Sequence, residues 1–167
     1  LIFGQVKRRS ILVTTDSVCD LPEALRREFG ISICPYYVCT EEGRFLDEQE
    51  LKTDQILAHI SMGRKGTSQP PDVRDYELFF AERLTEAQNI IHITMARNVS
   101  EGYQNAQEAA KSFENVTVLD SGHLSSSLGL VVLNAAYMAE HQAAKADIVE
   151  AVKRLEELSM FVDVSHL

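Results

Sequence analysis

The sequence predicts an α/β domain with a mainly parallel sheet and helices on both faces, and three observations support this fold class. Four short segments are almost continuous runs of apolar and β-branched residues, which is typical of strands buried on both faces. Segments with helical spacing of apolar residues lie between them, and this alternation produces right-handed crossovers in layered domains. The length of 167 residues suits one domain with a sizeable core.

The predicted strands cover residues 10–14, 31–39, 89–94 and 115–119. Pro35 lies inside the second of them. Because proline cannot donate a hydrogen bond to a sheet, we expect an edge strand or an irregularity there. A further apolar run over residues 160–164 indicates the start of another strand.

The predicted helices cover residues 22–29, 53–62, 72–87, 101–113, 124–141 and 146–158. Asp20, followed three residues later by Glu23, has the pattern of a capping box, so Asp20 is the expected N-cap of the first helix. The fifth helix is apolar almost all round, which predicts that it is the most buried.

Composition argues against several classes of protein. Lys and Arg number 16 against 25 Asp and Glu, so the formal net charge is −9. A nucleic-acid-binding protein needs a basic surface, and so does docking onto anionic lipid. No stretch reaches the roughly 18 apolar residues that span a bilayer, so membrane insertion is not expected. A small ligand in a local pocket is compatible with these data, because net charge does not fix the potential inside a cleft.

The sequence lacks several familiar chemical motifs. Cys19, Cys34 and Cys39 form no C-x-x-C pair and are interpreted as reduced thiols, and the five histidines are scattered, so no metal site is expected. The phosphate-binding P-loop, the G-x-G-x-x-G dinucleotide fingerprint and the G-x-S-x-G elbow are all missing from the sequence.

Hydroxyl and carboxylate side chains follow the predicted strands, where open α/β sheets bind ligands. These candidate ligand-binding residues are Asp16, Ser17, Thr67, Ser68, Arg97, Ser100, Asp120 and Ser121. Such residues are also good N-caps, so a structural interpretation stays open for each of them. The functional interpretation is an anion cradle, because helix N-termini present unpaired N–H groups. Thr67 and Ser68 are the strongest case, since the prolines that follow pre-set a first helical turn.

An enzymatic interpretation rests on Asp16, Asp120 and His123. The two carboxylates could form an acid–base pair, and His123 could act as a general base beside Asp120. Turn capping and a partly exposed loop histidine are the structural alternatives. A hydrolytic or phosphoryl-transfer enzyme is therefore an alternative to a binding protein.

Five motifs resemble those of the DegV family, the bacterial fatty-acid-binding proteins. They are V-T-T-D-S-V-C-D-L-P at 13–22, F-L-D at 45–47, G-T-S-Q-P at 66–70, S-E-G-Y-Q-N-A at 100–106, and V-L-D-S at 118–121 followed by Gly129 and Leu130. Each motif alone is a weak signal, whereas five in the family's order, between residue 11 and about residue 165, are specific.

The resemblance implies that a long-chain fatty acid is the ligand and that the protein does no chemistry itself. By position in the motifs, Thr67 is the implied carboxylate contact with Ser68 near it, and Asp16 and Ser17 shape the same site. The family resemblance further implies no cofactor, a cytoplasmic location and a fatty acid kinase subunit as the partner that receives the bound lipid.

The resemblance also implies a two-domain protein with an apolar tunnel for the acyl chain. We accordingly interpret residues 1–9 as an N-terminal extension, residues 10–160 as the first domain, and residues 161–167 as the start of a second domain that is absent. The Phe79–Phe80 pair and the helix over 124–139 could line the tunnel or form the core.

The chain departs from the family pattern at the third strand exit. Ala96 and Arg97 replace two serines, and Glu101 and Gly102 follow Ser100 where the pattern has S-G-T. One carboxylate-binding hydroxyl is therefore expected to be missing. Arg97 is expected either to contact a ligand carboxylate or, preferably, to pair with Glu101 four residues on. These departures favour a further alternative, a degenerate structural or regulatory module of a larger protein.

Overall fold

A computed structural model describes residues 8–158 of the chain, and seven strands and six α-helices form in this part. The strands are β1 (Arg9–Asp16), β2 (Ser32–Cys34), β3 (Tyr37–Thr40), β4 (Gly43–Leu46), β5 (Thr67–Gln69), β6 (Ala87–Thr94) and β7 (Val116–Asp120). The helices are α1 (Glu23–Glu28), α2 (Thr53–Ser61), α3 (Val73–Arg83), α4 (Gly102–Ala110), α5 (Ser125–Glu140) and α6 (Lys145–Glu156), and a 3₁₀ turn covers Ser17–Cys19.

The larger sheet has four strands in the order β2-β1-β6-β7, and all neighbouring strands are parallel. Thr14 of β1 lies opposite Ser32 of β2 on one side and opposite His92 of β6 on the other. Parallel strands require crossover connections, which the helices supply. The predicted α/β fold class with a mainly parallel sheet is confirmed.

Helices cover both faces of this sheet, and a separate hydrophobic core cluster lies on each face. On one face α5 and α6 pack against the sheet, with Leu128 and Ile148 buried against Ile91. On the other face α3 and α4 bury Phe80 and Ala106 with neighbours from β6 and β7. The alternation of side chains along each strand divides the apolar residues between these two clusters.

A second, antiparallel sheet of three strands has the order β4-β3-β5, and the sequence analysis did not predict it. The prediction of one continuous strand over 31–39 was wrong. The segment divides at Pro35, which has no N–H to donate, into β2 of the large sheet and β3 of the small sheet. The predicted irregularity at Pro35 is confirmed, and β2 is an edge strand.

Several predicted boundaries need correction. The helix predicted over 72–87 ends at Arg83, because Ala87 already belongs to β6. The strand predicted over 10–14 continues to Asp16, which is therefore the last residue of the strand rather than part of its exit. The helices predicted over 53–62 and 124–141 match α2 and α5 to within one residue at each end. The strand predicted over 160–164 lies outside the described residues.

The expected capping role of Asp20 was wrong. The N-cap of α1 is Pro22, and no side chain caps this helix. Asp20 instead follows the 3₁₀ turn in a left-handed conformation with φ of 52°, and its carboxylate accepts a hydrogen bond from the Ser125 hydroxyl. The residue therefore tethers the first strand exit to the start of α5.

Helix α5 has six buried residues, more than any other described helix, as its composition predicted. Gly129 marks its closest approach to the 3₁₀ turn. A Cβ atom at this position would lie 2.7 Å from the carbonyl oxygen of Cys19 and 3.1 Å from a methyl carbon of Leu21. The backbone oxygen cannot move aside cheaply, so this packing requires glycine.

We expect Gly129→Ala to lower the free energy of unfolding by about 1–2 kcal/mol, although alanine has the higher helix propensity. The added methyl group overpacks the contact with the Cys19 carbonyl. Asn134→Ala, at an exposed position of the same helix, is the control and should change stability by no more than about 0.5 kcal/mol. Urea denaturation followed by circular dichroism measures both. A Gly129→Ala protein more stable than the parent would contradict this account of the packing.

Candidate functional site

The strand order creates a switch point between β1 and β6. The chain leaves β1 toward β2 on one side, whereas β6 lies on the other, and the crevice beyond the carboxyl ends of two such strands is the usual ligand site of an open α/β sheet. We call the residues at and just after the carboxyl ends of β1, β6 and β7 the crest. It brings together the predicted residues Asp16, Ser17, Arg97, Ser100, Asp120 and Ser121.

Asp16 is the buried anchor of the crest, with no exposed surface. One carboxylate oxygen accepts a hydrogen bond from the Tyr76 hydroxyl at 2.9 Å, and the other accepts one from the Met95 N–H at 3.1 Å. Burial and the nearby Asp16 carboxylate raise the pKa of Tyr76 well above its usual value, so the phenol keeps its proton. The carboxylate thus joins β1, α3 and the exit of β6.

His92 lies beside this anchor and is also completely buried. Its Nε2 is 3.4 Å from an Asp16 carboxylate oxygen, and its Nδ1 shares a 2.8 Å hydrogen bond with the Thr14 hydroxyl. The rings of Tyr76 and Phe80 both have their centroids 5.3 Å from that of His92. Asp16 and His92 therefore act inside the core, and neither lines the surface of the crest.

Hydroxyl groups organise the loops that rise from this anchor. The Ser17 hydroxyl accepts a hydrogen bond from the Tyr36 N–H at 3.1 Å, and the Tyr36 hydroxyl is 2.8 Å from the Ser100 hydroxyl oxygen. Ser100 also accepts from the Gly102 N–H at 3.1 Å, which satisfies one free donor at the start of α4. A Cβ atom on Gly102 would lie only 2.4 Å from the Tyr36 hydroxyl, so a larger residue there would displace this hydroxyl from its contact with Ser100.

Asp120 fixes the exits of β6 and β7 in the same way. One of its oxygens accepts from the Arg97 N–H at 3.2 Å and from the Gly122 N–H at 2.9 Å, and the other is 3.1 Å from the Arg97 Nε. The Arg97 guanidinium also pairs with Glu156 of α6 at 3.3 Å. The expected pairing of Arg97 with Glu101 was therefore wrong, because two nearer carboxylates hold the guanidinium.

Ser121 and His123, which follow β7, also form hydrogen bonds within the protein. Ser121 is buried, and its hydroxyl oxygen accepts from the His123 N–H at 2.9 Å. The His123 Nε2 is 2.8 Å from the Leu155 carbonyl oxygen. The carboxylates of Asp16 and Asp120 each contact their own donors, so the arrangement does not form the acid–base pair considered above.

Thr67 and Ser68 lie on β5 of the small sheet, apart from the crest hydroxyls in the topology. They pair with Cys39 and Val38 of β3, and both side chains are exposed. The expectation that they sit at a helix N-terminus was wrong, because α3 begins at Val73 and its N-cap is Asp72. Within residues 8–158 neither hydroxyl makes a hydrogen bond, so both are free to contact a ligand.

Sequence reasoning missed the buried partners of the crest. Tyr36, Tyr76 and His92 complete the network, yet each lies in a segment whose apolar pattern indicates core. The only sequence signal for this buried network was His92, a polar residue within an otherwise apolar predicted strand. Its partner Thr14 is on a different strand, and the contact depends on the register of β1 with β6.

Few other candidate chemical groups lie among the described residues. Between residues 8 and 158 no group of three or more His, Cys, Asp and Glu side chains could hold a metal ion. The cysteines are free, and burial raises the pKa of the Cys19 and Cys34 thiols. No described helix combines the length and apolar character needed to cross a bilayer.

Comparison with known families decides the relationship of the chain. The model of the family described as "Uncharacterised protein, DegV family" matches residues 10–167. The chain belongs to the DegV family. The resemblance noted from the five sequence motifs is thereby confirmed.

Curated DegV relatives are considerably longer than this chain. A DegV domain-containing protein from Clostridium acetobutylicum is 30% identical over 165 residues, which are 94% of this chain and 59% of the relative. Another from Caldanaerobacter subterraneus subsp. tengcongensis is 26% identical over 163 residues, covering 94% of this chain and 58% of the relative. The chain therefore spans a little over half the length of these relatives.

Solved DegV structures share the fold. A DegV family protein from Thermus thermophilus, described as binding fatty acid, superposes with a TM-score of 0.82 at 28% identity and covers 89% of this chain and 54% of its own. DegV from Bacillus subtilis also gives a TM-score of 0.82, at 21% identity and with the same coverage of both chains, and this likeness concerns the fold alone.

For this DegV chain we expect Asp16→Asn to lower the free energy of unfolding by about 2–4 kcal/mol. The amide supplies one acceptor where the carboxylate supplied two, so either Tyr76 or Met95 loses its partner. Tyr76→Phe removes one donor and should cost less, about 1–2 kcal/mol. Glu41→Gln, at an exposed carboxylate in the turn between β3 and β4, is the control and should change little. Denaturant unfolding checks the order, and an Asp16→Asn protein as stable as the control would contradict the anchoring role.

Proposed function

We propose that this chain binds a long-chain fatty acid without changing it chemically, with Thr67 as the carboxylate contact and Ser68 beside it. The observation that carries the proposal is the pair of exposed hydroxyls on β5 of a DegV chain, which make no hydrogen bond in the described part of the protein. The 28%-identical Thermus thermophilus relative, described as binding fatty acid, supports the choice of ligand.

The surroundings of β5 fit such a ligand physically. Hydroxyl groups donate hydrogen bonds to a carboxylate without the desolvation cost of a second buried charge. Leu57 and Ile60 of α2 and Met62 just after it precede β5 in the chain, and each has more than half of its surface exposed. Apolar side chains near a few polar groups are what an amphipathic ligand requires. We place the acyl chain along this apolar face of α2.

The finer proposal is that the bound fatty acid is presented to a fatty acid kinase subunit in the cytoplasm. Transfer to a second protein requires an accessible head group, and both Thr67 and Ser68 are exposed. A non-catalytic role agrees with the crest, where Asp16 and Asp120 are occupied by internal donors. We propose no cofactor, no nucleic acid and no membrane insertion for this function.

We further propose the domain organisation that the longer relatives support. Residues 10–160 are the first DegV domain, residues 1–9 are an extension, and residues 161–167 begin a second domain. We propose that such a second domain covers the α2 face and encloses the acyl chain.

One observation favours a second candidate function, a degenerate structural or regulatory module. Arg97 occupies the position of a family serine, and its guanidinium is held by Asp120 and Glu156. In this alternative, Thr67 and Ser68 do not bind a fatty acid without the hydroxyl of that serine. The domain then keeps its fold but binds no ligand.

We expect Thr67→Val to weaken fatty acid binding at least about tenfold, because a hydrogen bond to a charged group is lost. The variant is isosteric and keeps the β-branched side chain that suits β5. Thr67→Ser is the matched control, which retains the hydroxyl and should bind within a few fold of the parent. Displacement of a fluorescent fatty acid from the full-length protein measures all three affinities. Equal affinity of Thr67→Val and the parent would overturn the assignment of Thr67.

A further inference from the structure

The pairing of the small sheet determines which side chains of β5 share a face. Thr67 lies directly opposite Cys39 of β3, and Gln69 lies directly opposite Tyr37. Side chains of directly opposed residues in antiparallel strands lie on the same face of a sheet, and successive side chains of one strand alternate between the two faces. Thr67 and Gln69 therefore lie on one face of the small sheet, and Ser68 lies on the other.

Contacts of the neighbouring strands agree with this assignment. The register of β4 with β3 places Arg44 on the Thr67 face, and its guanidinium lies 3.4 Å from the centroid of the Tyr37 ring on that face. Tyr37 and Leu46 are directly opposed, and both line a groove beside α3, whereas Val38, the residue after Tyr37, does not. The alternation expected of the strands is thus present in the side-chain contacts.

The charges on the Thr67 face offset each other. Arg44 is the only charged side chain that β3, β4 and β5 place there, and its guanidinium pairs with the Asp75 carboxylate of α3 at 3.3 Å. A ligand carboxylate beside Thr67 therefore depends on uncharged hydrogen-bond donors.

Gln69 supplies such a donor on the same face as Thr67. Its side chain is exposed, and among residues 8–158 its amide makes no hydrogen bond. One residue separates it from Thr67, so the two Cα atoms are about 7 Å apart along the strand. A carboxylate between the two side chains offers one oxygen to each donor.

We propose that Gln69 is the second head-group contact of the fatty acid, whose carboxylate lies on the Thr67 face of the small sheet. This inference rests on the proposed function and refines it. One carboxylate oxygen accepts from the Thr67 hydroxyl and the other from the Gln69 amide N–H, whereas Ser68 is turned away. Hydrogen bonds to a charged acceptor are stronger than bonds between neutral groups, so this pair of donors prefers a carboxylate to an alcohol head group.

The test measures binding of two fluorescent probes to the full-length protein. The probes share one long acyl chain, and one ends in a carboxylate and the other in an alcohol. The parent should prefer the carboxylate probe, and Gln69→Ala should bind that probe at least about tenfold more weakly. Gln69→Glu keeps the size of the side chain and should weaken the carboxylate probe further through charge repulsion. It should bind the alcohol probe within a few fold of the parent, because the introduced carboxylate accepts from the alcohol O–H.

Ser68→Ala is the matched control on the opposite face and should bind both probes as the parent does. Equal affinity of Gln69→Ala and Ser68→Ala for the carboxylate probe would overturn the inference. An equal loss of both probes in Gln69→Glu would also overturn it, since a general change of β5 weakens any ligand. If Gln69→Glu fails to fold, Gln69→Ala decides the question.

The same measurements separate this inference from the proposed function. If the Gln69 variants bind like the control while Thr67→Val loses the carboxylate probe, Gln69 is not a contact and the Thr67 assignment stands. A parent protein that binds neither probe contradicts the proposed function and this inference together.

Discussion

The buried carboxylate of Asp16 is the interaction on which the geometry of the crest depends. It ends β1, receives the Tyr76 hydroxyl of α3 and receives the Met95 N–H at the exit of β6. A buried charge is tolerated only when its oxygens are satisfied by well-placed donors, and here both are. The two strands that flank the switch point are therefore held at their carboxyl ends by one side chain. The contacts of Asp16 therefore position Ser17 and the loop that follows β6.

Asp120 repeats this arrangement one strand further along, where it fixes the exits of β6 and β7 through Arg97 and Gly122. The carboxylates of Asp16 and Asp120 therefore stabilise the loops and strand ends of the crest. The hydroxyls of Thr67 and Ser68 are different, because β5 presents them to solvent and neither makes a hydrogen bond within residues 8–158. The two carboxylates therefore hold the fold of the crest, whereas the β5 hydroxyls face solvent. Arg97 belongs to this architecture, because its guanidinium pairs with Asp120 and Glu156.

Features set by local sequence were predictable, and features set by distant contacts were not. Helix α5 was placed to within one residue because its apolar composition and length are local signals. The small sheet was missed, since β3, β4 and β5 have only three or four residues each and the pairing of β3 with β5 joins distant segments. The partner of Arg97 was mistaken because Glu156 lies 59 residues away, whereas Glu101 was the local candidate. The DegV motifs made Thr67 and Ser68 candidate ligand contacts, but they did not indicate that these residues lie on a strand.

The central claim is that a DegV chain with structural carboxylates and free β5 hydroxyls carries a fatty acid. Native mass spectrometry of the purified full-length protein, with extraction and identification of the bound lipid, tests it most directly. The account predicts one long-chain fatty acid per protein, released unmodified by organic solvent. Protein that is free of lipid, and that takes up none when fatty acid is added, would contradict the account and favour the degenerate module.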